Sequence, residues 1–183
     1  MDSFSIILVV VLLILVILSA FFSGSETSIM ALNQIKLDNA EKQGNKSAKI
    51  INSLRKEINR VLGVILIGNN LVNISASALL TFFVIKKFGD EYVWIGTLLL
   101  TIFIIIFAEI APKSFAAKRP ESIAYPASRI LKVLTKYLGS FSEILTNISN
   151  SLTGIKNNEN YFSENLNRDE LKSVLEKETK EVD

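Results

Sequence analysis

LLLTIFIIIFAEIAPK, residues 98–113, decides the fold. Leu98 to Phe107 is apolar apart from Thr101, a density of large side chains that suits lipid better than a soluble core. The run flows into a carboxylate, Glu109, and then into Pro112. Pro112 has no N–H, so the carbonyl of Ala108 cannot receive its ordinary helical bond, and the helix is expected to break there. An acid at the centre of a spanning helix costs roughly 2.5–3.5 kcal/mol on insertion scales. A carboxylate beside a freed carbonyl oxygen is tolerated at membrane depth where it lines a cavity or an ion site. The plainer alternative puts Glu109 at a solvated helix end, paired with Lys113 one turn on.

Two further runs give the architecture. Phe4 to Phe22 is nearly unbroken, with helix-compatible residues continuing to Leu32, and Val61 to Ile85 is long and apolar but studded with Asn69, Asn70, Asn73, Ser75 and Ser77. With Tyr92 to Ala111 these make three candidate spans, about 4–32, 61–85 and 92–111, in an all-α membrane protein. No basic region precedes the first run, which argues against a cleaved signal peptide. Lys36, Lys42, Lys46, Lys49, Arg55, Lys56 and Arg60 lie between runs one and two, and Lys113, Lys118, Arg119, Arg129, Lys132 and Lys136 follow run three. The short link KKFGDEY carries only Lys86 and Lys87. The positive-inside rule then puts the N-terminus outside and the C-terminus in the cytosol, in a multi-pass cell-membrane protein.

After Pro126 an apolar stripe recurs at three- and four-residue steps, through Ala127, Ile130, Leu131, Leu134, Tyr137, Leu138, Phe141, Leu145, Ile148 and Leu152. A juxtamembrane helix over about 121–153, lying along the membrane surface or packed on a partner, is expected. Residues 156–183 are polar and read as a short helical linker leading elsewhere.

The 183 residues include no Cys and no His. Thiol and imidazole chemistry, disulfides and most zinc and iron sites are thereby excluded. Any metal must be held by oxygen, which points to hard cations. Asn69 and Asn73 share one face of run two, and each offers a neutral carbonyl oxygen. Glue between helices and cation ligation both remain open for them, whereas Asn70, on another face, reads as glue. Ser19 and Ser23 stand one turn apart in SAFFSGSETS, where Gly24 permits close helix approach. Glu26 reads either as part of a polar exit from the bilayer or, ranked below Glu109, as a second intramembrane acid. Counting residues along each run brings Ser23, Asn69 and Glu109 to broadly similar depth, with Asn69 about 12 Å beyond Val61. One carboxylate among neutral oxygens suits a cation.

FFSGSETS, GNNLVNI and FAEIAPK, in that order, resemble the transmembrane domain of the CorC/CNNM magnesium transporter family over about residues 4–155. The resemblance implies a homodimer with three spans and a juxtamembrane belt per subunit. It implies Mg²⁺ export, with Na⁺ entry as a candidate driving force. It also implies an Mg²⁺ site formed by Ser23, Asn69, Asn73, Glu109 and the carbonyl of Ala108, with Ser19 as a further carry-over. The linker resembles the helix ahead of a cystathionine-β-synthase-type (CBS) module that binds ATP, which would follow in a longer protein. The alternative is a membrane-anchored sensor or scaffold that binds Mg²⁺ without moving it. Hydrolase chemistry is disfavoured, since no Lys lies within the runs to activate Ser23 and GxSxG is absent. Nothing points to nucleic acid.

Overall fold

The computed structural model describes residues 3–153, all in helices and short turns. Residues to Ile144 form one compact unit, and the described residues from Leu145 on continue the last helix within a second. The linker expected over 156–183 lies outside the described residues.

Helix α1 (Ser3–Ala31) is the first long apolar helix. Two short helices follow, α2 (Gln34–Lys42) and α3 (Lys46–Lys56). Each starts at an asparagine whose side chain accepts backbone N–H groups. Asn33 takes Lys36 N–H at 3.0 Å, and Asn45 takes those of Ser47 and Ala48 at 2.9 and 3.2 Å. Both satisfy donors that a helix start leaves orphaned. Helix α4 (Ile58–Phe88) is the second long helix, and Gly89, at φ 100°, turns the chain through Asp90–Tyr92 into α5 (Val93–Phe103). A π-helical segment, Ile104–Ile110, joins α5 to α6 (Ala111–Lys118). Arg119, non-helical at φ −135° and ψ 64° ahead of Pro120, separates α6 from α7 (Pro120–Thr153).

Three stretches are long and apolar enough to cross a membrane: Ser3–Ala31, Ile58–Phe88 and Asp90–Lys118. The second overruns the expected 61–85 at both ends, because Ile58 packs into the buried cluster and the cap comes only at Gly89, whose N–H reaches the carbonyls of Val84 and Ile85. The third corrects the expected stop at Pro112. The chain does not break there. It widens into π turns one turn upstream and then continues for six residues, with Pro112 in the first turn of α6, where a missing N–H costs little.

Side-chain contacts give the directions of the spans. Phe4 near the start of α1 meets Phe82 near the end of α4, their ring centroids 6.2 Å apart, and Lys86 sits over the Phe4 ring at 3.7 Å. A methyl group on Gly96 of α5 would lie 2.9 Å from Val84. Neighbouring spans are therefore antiparallel, with the two basic segments at one end of the bundle.

The tight core lies at that basic end. Phe22, Ile29, Leu37, Ile51, Val61, Ile65 and Leu131 form one buried cluster. The other halves of the spans turn large side chains outward, among them Ile17, Leu71, Ile74, Leu98 and Leu99. A girdle of exposed apolar side chains on backbone-satisfied helices is the surface that lipid requires. Arg55 of α3 ties the core to the end of α1. Its guanidinium donates to the carbonyls of Ile29 (3.0 Å) and Leu32 (2.8 Å) and to Gln34 Oε1. Helix α7 packs its buried residues on the same core, and burial there, with Glu121 close by, raises the Tyr125 phenol above its ordinary pKa.

Candidate cation site

Gly24 is where α1 comes closest to the proline turn. A methyl group built on it would touch Pro112 Cβ at 3.6 Å and Ile123 at 3.7 Å. Gly68 does the same on the other side, with the ring of Phe22 filling its missing side chain at 2.5 Å. Two glycines thus draw α1 against both α4 and the third span, in the manner of small residues at membrane helix interfaces.

That packing brings the predicted residues together in pairs. Ser19 Oγ donates to Asn69 Oδ1 at 2.9 Å, joining α1 to α4. One turn along α1, Ser23 Oγ reaches the backbone carbonyl of Glu109 at 3.5 Å, joining α1 to the π-helical segment. Ser19, Ser23 and Ala108 are buried, while Asn69, Asn73 and Glu109 are half-buried. The Oδ1 atom of Asn73 is shielded from solvent and has no hydrogen-bond partner. A buried carbonyl oxygen without a donor is costly unless something else satisfies it. Asn70, read as helix glue, instead faces outward, exposed and without a hydrogen bond to another helix among the described residues.

The π-helical segment is what sequence reasoning missed. Across it, bonds run from each N–H to the carbonyl five residues back, as in Ala111 N–H to Ile106. The wider turn changes which residues face α1. Ser23 therefore meets the carbonyl of Glu109, one residue beyond the Ala108 carbonyl singled out from Pro112 alone. The only signal in the sequence was the proline itself.

In the plainer alternative, Lys113 would have been the partner of Glu109. It pairs instead with Glu26 of α1, at 3.6 Å, and both side chains are about half exposed. Among the described residues the carboxylate of Glu109 makes no ion pair. The same residues hold no cluster of three acids. Any cation here would be met by one carboxylate and several neutral oxygens, a donor set for a hard cation.

Residues 10–183 match the family described as the cyclin M transmembrane N-terminal domain, CNNM. The chain belongs to the CNNM family. Among curated proteins it is 39% identical over 168 residues to the UPF0053 inner membrane protein YfjD of Escherichia coli, covering 90% of this chain and 39% of the relative. It is 44% identical over 129 residues to a UPF0053 protein of Haemophilus influenzae, covering 70% of this chain and 31% of the relative. A putative DUF21 domain-containing chloroplastic protein of Arabidopsis thaliana is 35% identical over 159 residues, 86% of this chain and 24% of its own length. The chain thus spans well under half the length of these relatives. With three helices long and apolar enough to span a membrane and an inner-membrane relative, it is a multi-pass membrane domain of the CNNM family.

Proposed function

We propose that this CNNM domain transports Mg²⁺, using oxygen ligands from all three spans. Ser23, Asn69, Asn73, the carboxylate of Glu109 and the carbonyl of Ala108 are the proposed ligands. Ser19 holds Asn69 in place and is a further candidate donor. The observation that carries the proposal is the position of Glu109. It is half-buried on a π-helical turn, and Lys113, the obvious counter-charge, is engaged with Glu26. A hard cation supplies the missing positive charge, and the unpartnered Asn73 Oδ1 supplies a neutral ligand.

The chain acts as a transporter and not as an enzyme in this proposal. Basic-residue placement favours an outside N-terminus and a cytosolic C-terminus. The CorC/CNNM resemblance favours export, Na⁺ entry as the coupling reaction, a homodimer, and an ATP-binding CBS module in longer members. The rate of Mg²⁺ movement across proteoliposomes, read with a trapped Mg²⁺ dye for the parent and for Glu109→Gln, is the test. Flux in the parent that falls at least about tenfold in the variant is expected. Binding without flux in the parent would make the domain a sensor. Equal flux in both would remove Glu109 from the site.

A further inference from the structure

Helix α7 is inside-out. Among the described residues, its buried side chains are small or polar, Ala124, Ala127, Ser128, Thr135 and Ser142, with Leu131 the one large exception. Gly63 of α4 leaves the space that the Ser142 side chain enters, and Gly139 leaves the space that the Arg60 side chain enters. The large apolar residues Ile130, Val133, Tyr137, Phe141 and Ile144 point outward, Tyr137 with 74% of its surface exposed. Steps of three and four put these five on one continuous stripe. A helix that hides hydroxyls and displays isoleucine is not dressed for water.

Charge identifies what covers the stripe. Arg129, Lys132 and Lys136 are exposed, and each immediately precedes a member of it. Among the described residues none of the three makes an ion pair. Of the two acids in this part of the helix, Glu121 lies two turns earlier, and Glu143 is engaged by Arg60 at 3.3 Å. The exposed face is therefore apolar along its length and cationic along one edge. Long basic side chains can lay their stems on such a face and lift their charges to the headgroup level. A second copy docked antiparallel on the same stripe would bring two rows of cations together, which disfavours it. The helix also begins two residues after the third span ends, so it starts at the membrane boundary.

We propose that the outer face of α7, residues 129–144, is seated in the headgroup layer of the bilayer and selects anionic phospholipids through Arg129, Lys132 and Lys136. An apolar face bordered by cations binds membranes by burial and by attraction to anionic lipid together. The selection is independent of which ion the spans carry.

The chain has one tryptophan, Trp94, so a Trp94→Phe, Phe141→Trp variant reports on this face alone. It is reconstituted in vesicles whose brominated acyl chains are carried by either phosphatidylglycerol or phosphatidylcholine. Both should quench the reporter, with phosphatidylglycerol preferred by about fivefold, the factor that a single surface-bound basic side chain supplies. Adding Arg129→Gln, Lys132→Gln and Lys136→Gln should bring the preference close to one while quenching persists. Lys132→Arg with Lys136→Arg should retain it. No quenching by either lipid would mean that protein covers the face. Equal quenching in the starting variant, or a preference that survives the triple substitution, would likewise overturn the proposal.

Discussion

Ser19 and Asn69 stand 50 positions apart in the chain and are joined by a 2.9 Å hydrogen bond across the α1–α4 interface. The serine proton fixes the amide so that Oδ1 faces α1. That oxygen has two lone pairs, so it can accept from Ser19 and still face a cation with the other. The bond is thus compatible with both readings left open by the sequence, helix glue and ligand support.

The two readings separate in Ser19→Ala. Loss of a bond between membrane helices should destabilise the domain by about 0.6–1.7 kcal/mol, read as a lower melting temperature in detergent. If the serine also orients a ligand, the rise in melting temperature on adding Mg²⁺ should shrink as well, because the amide is free to rotate away. We expect both effects. A variant that melts earlier yet gains as much from Mg²⁺ as the parent would assign the pair to glue.

Lys113→Met distinguishes the observed ion pair from the one suggested by sequence. Lys113 lies against Glu26, an exposed pair worth no more than about 1 kcal/mol. Mg²⁺ affinity by calorimetry should stay within about twofold of the parent. Glu109→Gln should abolish it. If Lys113→Met alters affinity as strongly as Glu109→Gln does, then the lysine is the partner of Glu109 after all.

The spans were legible because a run of large apolar residues can satisfy its backbone in lipid only as a helix. The approach of the three spans was legible in part, since residue counting placed Ser23, Asn69 and Glu109 at similar depth, and the structure joins Ser19 to Asn69 and Ser23 to the Glu109 carbonyl. The π turn was not. Pro112 announces a lost hydrogen bond, but whether the helix stops, kinks or widens depends on what packs beside it, and here Gly24 lets α1 close in. The face of α7 was misread for a related reason. Periodicity merged Ala127 and Leu131 with Ile130, Tyr137 and Phe141 as one stripe, whereas the structure buries the first two and exposes the other three. Beside a membrane, small size and not apolarity selects the packed face.

Gly68→Ala tests that close packing directly. In a helix interior the substitution by itself favours stability by about 1 kcal/mol. Here the new methyl group would fall 2.5 Å from the Phe22 ring, and overpacking of this kind costs about 1–3 kcal/mol. The net change should be a loss, and Phe22→Leu in the same chain should recover part of it. A Gly68→Ala variant that melts later than the parent would show that the ring has room to move.

Arg55→Lys is the sharpest test of how the basic end is held. The planar guanidinium of Arg55 reaches the carbonyls of Ile29 and Leu32 together with Gln34 Oε1, and so closes the open end of α1. A lysine keeps the charge but carries one compact ammonium, which cannot hold the two carbonyls and the amide in the same fork. A charged hydrogen bond contributes about 1.5–3 kcal/mol, so losing even one should lower the melting temperature clearly. The loss should be local as well as global. Gln34 also donates to Asp38 and Asn52, both at 2.9 Å, so release of Arg55 should loosen the link between α2 and α3. Amide exchange should therefore accelerate from Ile29 through Asp38 while that of α4 stays slow. Uniform acceleration across all helices would mean that Arg55 serves the core in general and not the end of α1.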